Sequence, residues 1–153
     1  MPRHSEIKHL PYSPAQLFDL VADVGRYAEF LPWVVAVRVR SSGETETIAD
    51  LVVGFNAFKE RFTSRVSKQA PDRITVDYIE GPLKYLKNEW RFEQAVDGGT
   101  DVYFSVDFAF KSRIFETIAG QMFDRALRRM IGAFEIRAAA LYGSSNSSAQ
   151  SAA

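Results

Sequence analysis

Apolar positions change their spacing twice in the first thirty residues. Residues 3 to 9 alternate weakly, as a short strand does, and the next segment, Ser13-Pro14-Ala15-Gln16, carries the signals of a helix start. Ser13 can cap, Pro14 occupies the first helical position where its missing N–H costs nothing, and Gln16 completes a capping box. Leu17, Phe18, Leu20, Val21 and Val24 then give one apolar helical face, which Gly25 ends or bends into a second short helix reaching Phe30. Pro32 biases Leu31 toward extended geometry, so the chain leaves helix inside the aromatic stretch YAEFLPWV at 27–34.

From Trp33 to Lys111 the period becomes two. Val35, Val37 and Val39 alternate with Ala36, Arg38 and Arg40, and Ile74, Val76 and Tyr78 with Thr75 and Asp77. Val102, Phe104, Val106, Phe108 and Phe110 alternate with Tyr103, Ser105, Asp107 and Ala109. This pattern predicts strands with one wet face. Turn signals fall at Ser42-Gly43, Gly54 to Ala57, Pro71-Asp72, Gly81-Pro82 and Gly98-Gly99. Connections this short imply an antiparallel meander of six or seven strands, because parallel neighbours need long crossovers.

A helix from about Ser112 to Tyr142 closes the chain, about 45 Å long at 1.5 Å per residue. Its apolar positions run from Phe115 and Ile118 to Ala138 and Leu141, a stripe wider than one flat contact needs, with Gln121, Asp124, Arg128 and Glu135 marking the outer side. Gly120 and Gly132 within it are expected to let a neighbouring backbone or a ligand come close. Residues 144–153 are small and polar and are expected to lack fixed structure, which leaves residues 1–143 as one α+β domain.

Composition sharpens this picture at three points. Hydrophobic residues at 46% are ordinary, but twelve Phe, six Tyr and two Trp mean that something large and apolar is lined or filled. Lys and Arg total 19, as do Asp and Glu, so no overall field favours DNA or an anionic surface, and only local patches remain. The absence of cysteine excludes disulfides, thiolate catalysis and Cys-based zinc sites. No stretch approaches the roughly 20 apolar residues of a membrane span, and the N-terminus has no apolar leader segment. A cytoplasmic chain is expected.

A twisted sheet that is apolar on one face must be covered, and only the last helix is long enough to do it. A curved sheet gripping one helix tends to enclose space between them, with the two short N-terminal helices closing one end. At about 24 cal/mol per Å³, a dry void of roughly 500 Å³ would cost about 12 kcal/mol, comparable with a domain's whole stability. Such a space should therefore hold a ligand or water, or collapse part of the time.

Four segments carry a family pattern: RYAEFLPWV at 26–34, KERFTSRV at 59–66, GPLKYLKNEWRF at 81–92 and MIGAFEIRAAALYG at 130–143. In this order they resemble the coenzyme Q-binding branch of the START-like (polyketide cyclase-like, SRPBCC) superfamily, over residues 3 to 143. The resemblance implies a helix-grip fold with a deep cavity. It implies ubiquinone or a related polyprenyl lipid as ligand, with no catalytic cofactor, and a carrier role in respiratory quinone function instead of catalysis. It also implies transient docking on the inner membrane face and, as an alternative, ribosome association of the kind found in toxin-like relatives. Where the family favours proline, cysteine and phenylalanine, this chain has Ala28, Val34 and Leu83.

The residues expected to line the cavity are Pro32, Trp33, Phe62, Tyr78, Pro82, Leu83, Trp90, Phe92, Phe104, Phe108, Phe123, Leu127 and Met130. Pro32 and Trp33 fit a cavity lip or a core corner equally well, and the Gly81 to Tyr85 loop fits an apolar flap or a plain strand connection. Glu60 and Ser64 share a parity with Phe62, so Glu60 is either a polar group inside the cavity or a carboxylate at the sheet rim; in a cyclase-like enzyme it would be the interior acid. Lys59, Arg61 and Arg65 form a basic row that cross-strand pairing with Glu89 and Glu93 would neutralise, or that phosphate would contact. Arg125, Arg128 and Arg129 read as a solvated helix face. His4 and His9 have no partners for a triad, and neither HExxH nor GxSxG occurs, so neither catalytic nor metal-binding residues are expected.

Overall fold

In a computed structural model, which describes residues 3–55 and 58–143, seven strands form a single antiparallel sheet in the order β1-β7-β6-β5-β4-β3-β2. The strands are β1 (Arg3–Leu10), β2 (Val34–Ser42), β3 (Glu46–Phe55), β4 (Phe58–Gln69), β5 (Arg73–Glu80), β6 (Leu83–Gln94) and β7 (Thr100–Phe110). Between β1 and β2 run α1 (Pro14–Ala22) and a 3-10 turn (Val24–Glu29); α2 (Arg113–Ala138) follows β7 and ends in a π-turn (Ala139–Gly143). This is the α+β helix-grip arrangement, with seven strands. The polar tail at 144–153, and residues 56 and 57 of the turn expected after Gly54, lie outside the described residues.

Local signals were realised where they depend on neighbours in sequence. Ser13 Oγ accepts the Gln16 N–H at 3.1 Å while Gln16 Oε1 accepts the Ser13 N–H at 3.0 Å, the expected capping box. From β2 to β7 every pairing is between consecutive strands, and β1 then adds itself beside β7, with Glu6 opposite Phe104.

The antiparallel order sorts the connections into two ends. The β2–β3, β4–β5 and β6–β7 turns share one end with α1, whose Phe18 meets Phe92 edge-on at 6.1 Å. Here the Thr100 hydroxyl donates to the Tyr12 carbonyl at 2.7 Å, and the Tyr142 hydroxyl donates to the Gln16 carbonyl at 3.1 Å. The end of β3, the start of β4, the Gly81-Pro82 turn, the end of β7 and the start of α2 share the opposite end.

Four expectations need correction. Val35 and Val39 are 56% and 41% exposed, because β2 is an edge strand whose pairing with β3 slips twice, leaving only Val37 packed on the core. Ala109, placed by alternation on a wet face, is buried: it stands beside the first turn of α2, lining a cleft with Arg113 and Thr117. Glu135 is not an outer residue but forms an ion pair with Lys8 on β1, so α2 meets this edge strand through charge. Among the described residues, a methyl group placed on Gly120 or Gly132 would meet nothing within 4 Å beyond the adjoining backbone of its own helix, so no described backbone from another element uses the space they leave.

Candidate functional site

The groove between the sheet and α2 has a packed half and an open half. In the packed half, Trp90 stands edge-on to Phe104 at 4.7 Å and to Phe134 at 5.2 Å, and Phe134 in turn receives Tyr27 at 5.6 Å and Phe30 at 5.2 Å. Ala49, Val66, Ile74, Phe92 and Val102 complete this core. The Trp90 indole N–H is satisfied by Asn88 Oδ1 at 3.0 Å, and the Asn88 amide donates onward to the Ser105 carbonyl at 2.8 Å. The Tyr27 hydroxyl donates to the Val21 carbonyl, and burial pushes this phenol well above its ordinary pKa.

Toward the opposite end the same face of the sheet stays apolar but loses its cover. Leu51, Phe62, Val76, Tyr78, Val106 and Phe108 are only half-buried, as are Phe123 and Met130 on α2. The helix explains why. Of its 26 residues only Leu127, Phe134 and Ala138 are buried, all in the C-terminal half, where Phe134 meets Tyr27, Phe30 and Trp90. Its first fourteen residues contribute no fully buried side chain, although Phe123 meets Phe108 with ring centroids 5.8 Å apart and Phe115 meets Phe110 at 5.9 Å.

The residues expected to line one cavity thus divide. Trp90, Phe92, Phe104 and Leu127 belong to the packed half, and Leu83 is buried below the Gly81-Pro82 turn. Phe62, Tyr78, Phe108, Phe123 and Met130 line the open half, with Pro82 half-buried at its end. Pro32 is exposed, whereas Trp33 is half-buried beside β3, where its carbonyl accepts the Gly54 N–H at 2.9 Å. The Arg129 guanidinium lies 5.7 Å from the Trp33 ring centroid, which ties the segment to α2 by a cation–π contact.

Polar groups enter the open half at few places. Glu60 pairs with Val53 across β3–β4 and shares the groove-facing parity of Phe62, Ser64 and Val66; it is half-buried. Tyr78 lies opposite Ser64, and its hydroxyl oxygen accepts the Leu83 N–H at 2.9 Å. Burial raises its pKa, with the nearby Glu80 and Glu60 charges adding to the effect. Gly81, at φ +144°, makes this arrangement possible: a Cβ there would stand 2.8 Å from the Arg61 carbonyl and 2.9 Å from the Tyr78 hydroxyl.

On the outer face, Arg65 pairs with Glu46 on β3 at 3.0 Å, Arg73 with Glu89 at 3.1 Å and Arg91 with Glu93 at 3.5 Å. The carboxylates of β6 therefore do not neutralise the basic row of β4, because β5 stands between the two strands. Asp50, 3% exposed, accepts from the Thr63 hydroxyl at 2.6 Å and from Arg40 at 2.8 Å; these donors hold its carboxyl below the usual range. Sequence reasoning missed Arg137, whose guanidinium donates to Glu29 at 2.7 Å and lies 5.2 Å from the Phe30 ring centroid. Nothing local marks a partner 108 residues away.

A family model described as "Polyketide cyclase / dehydrase and lipid transport" matches residues 10–135. The chain belongs to this family. The family's fold is shared by a START superfamily protein from Mycobacterium smegmatis, with a TM-score of 0.77 at 14% identity, covering 91% of this chain and 98% of that one. Among curated relatives, the ribosome association toxin RatA of Rickettsia prowazekii (strain Madrid E) is 39% identical over 140 residues, 89% of this chain and 94% of the toxin. The mitochondrial coenzyme Q-binding protein COQ10 homolog B of Xenopus laevis is 35% identical over 144 residues, 92% of this chain and 59% of that protein. Within the family the chain is thus similar both to a coenzyme Q-binding protein and to ribosome association toxins.

Proposed function

We propose that the open half of the groove binds ubiquinone or a related polyprenyl lipid, and that the protein is a non-enzymatic carrier that shields the isoprenoid tail from water. One observation carries this reading: the apolar wall of Phe62, Tyr78, Phe108, Phe123 and Met130 is left half-exposed by the chain's own helix, although the same face is packed tight a few residues away. Each buried methylene contributes about 0.8 kcal/mol, so a long tail supplies affinity with few polar contacts. The coenzyme Q-binding relative supports the choice of lipid. Glu60 and Tyr78 are the polar groups of this wall that a head group would meet, and Trp33 and Pro82 flank it.

Titrating the delipidated protein with ubiquinone in detergent micelles, followed by tryptophan fluorescence, tests the proposal. Saturable quenching is expected, with Phe108→Asp weakening it at least tenfold. A parent protein that stays folded but shows no saturation would rule the reading out. Ribosome association is the second reading, supported by the RatA relative and by Arg38, Lys59 and Arg61, which are exposed on the outer face of β2 and β4. It predicts salt-sensitive co-sedimentation with ribosomal particles that Arg38→Glu with Arg61→Glu abolishes and Phe108→Asp does not.

A further inference from the structure

We propose that Asn88 is the polar anchor of the groove: its side-chain amide donates a hydrogen bond to a ring carbonyl of the ligand, so that the head group lies deepest and the tail runs out along the open wall. The inference rests on the lipid-binding reading above and names the residue that sets which end of the lipid enters first and which lipids are refused.

Side chains on one face of a strand recur every second residue, so the inner face of β6 runs Leu86, Asn88, Trp90, Phe92 from the open half to the packed half. Trp90 and Phe92 are buried, and Leu86 is half-buried opposite Phe108, so Asn88 stands where packing gives way to the open wall. Its partners across the two neighbouring strands are Val76 on β5 and Val106 on β7, both half-buried. An amide does not match these surroundings. The strand is interior to the sheet, the flanking side chains are apolar, and asparagine is depleted in strands.

The hydrogen bonds of Asn88 define what it has left to offer. Its Oδ1 accepts the Trp90 indole N–H at 3.0 Å, and its Nδ2 donates to the Ser105 carbonyl at 2.8 Å. A side-chain amide has two N–H bonds and two acceptor lone pairs, so one of each remains, and among the described residues no other group takes them. The indole needs only an acceptor; the amide adds a donor beside it. Because two bonds already fix the amide, little freedom is lost when a ligand arrives.

This chemistry selects the ligand. A guest made of hydrocarbon alone would cover Asn88 and strand its N–H away from water, whereas a ring carbonyl takes that N–H. Leaving the donor buried and unpaired costs about tenfold or more in affinity. Position agrees with this. Glu60 and Tyr78 stand nearer the mouth, Glu60 toward the start of β4 and Tyr78 beside the Gly81-Pro82 turn, where its hydroxyl accepts the Leu83 N–H. A head group passes both and stops at Asn88, beyond which Trp90, Phe104 and Phe134 close the groove.

The test offers two lipids, ubiquinone and the oxygen-free prenyl hydrocarbon squalene, in detergent micelles to the immobilised full chain and quantifies what is retained by extraction. Asn88→Leu should weaken ubiquinone at least tenfold and leave squalene as tightly held as in the parent. Asn88→Asp keeps an acceptor for the Trp90 indole but has no N–H to give, and should weaken ubiquinone in the same way. In the parent, infrared spectra of ubiquinone isotope-labelled at its ring carbonyls should show a carbonyl band at lower frequency than in micelles, a result that depends on no variant's folding. Carbonyl bands that stay at their micelle frequency, or ubiquinone binding that survives both substitutions, would overturn the anchor even though ubiquinone binds. So would an equal loss of both lipids in the leucine variant, which would show that Asn88 only supports the fold. A parent that retains neither lipid overturns the ligand reading instead.

Discussion

His9 on β1 sits between two carboxylates, its Nδ1 2.9 Å from Asp101 and its Nε2 2.9 Å from Asp97. A neutral imidazole has one N–H and can serve only one of them; the imidazolium serves both. The contact with Asp101 is the main reason that its pKa is raised above 6.5, and the charge of Asp97 contributes in the same direction. The sign follows from linkage: the folded state holds the proton more tightly than the unfolded chain, so the stabilisation is fully present below about pH 6.5 and is lost as pH rises through the higher folded value. Chemical denaturation of the parent is expected to show falling stability across that window, and His9→Gln to flatten the fall; equal slopes would refute the clamp. This arrangement was invisible in sequence, where His9 has no nearby partner, because its aspartates come from the β6–β7 turn and from β7, 88 and 92 residues away. Glu60 was more legible, since alternation alone placed it with Phe62 and Ser64, and the register of β4 keeps it there.

At the scale of elements, legibility follows the range of the forces involved. Capping, turn chemistry and alternation are local, so α1, the β5–β6 turn and the strands from β4 to β7 formed where the pattern predicted. What local pattern lacks is the position of a strand in the sheet: Val35 and Val39 have the spacing of core residues, but β2 lies on an edge. It also lacks the depth to which each turn of α2 is buried. The apolar stripe of this helix runs from Phe115 to Leu141, yet the fully buried side chains are confined to its C-terminal half. Gly120 lies in the first half of α2, and among the described residues nothing beyond its own helix backbone comes within 4 Å of where a Cβ would stand. Gly120→Ala should therefore contribute helix propensity without a clash, raising stability by about 1 kcal/mol or less. Thermal and urea unfolding measure this directly. A loss of stability would mean that the space beside Gly120 is occupied, and unchanged stability with weakened ubiquinone binding would place the ligand there.

For the molecule as a whole, the division of the groove is a statement about where stability resides. The closed end is cross-linked by aromatic contacts around Phe134 and Trp90 and by the hydrogen bonds of Tyr12 and Tyr142, while the open end has strand pairing, the ring contacts of Phe108 with Phe123 and of Phe110 with Phe115, and no fully buried α2 side chain before Leu127. Segments with few buried apolar contacts open at lower free energy than the core. Amide hydrogen exchange should therefore be fast over residues 113–122 of α2 and slow over residues 127–138. A ligand that binds only the folded chain adds stability by mass action, about 2.7 kcal/mol at a hundredfold excess over its dissociation constant. If that ligand lies against the open wall, the added protection should appear in the first half of α2 and at the ends of β4 and β6 that face it, not evenly through the core. Exchange measured with and without ubiquinone distinguishes the two patterns. Uniform slowing would indicate a ligand that stabilises the fold from elsewhere, and equal exchange in the two halves of α2 without ligand would mean that the open end is as firmly held as the closed one.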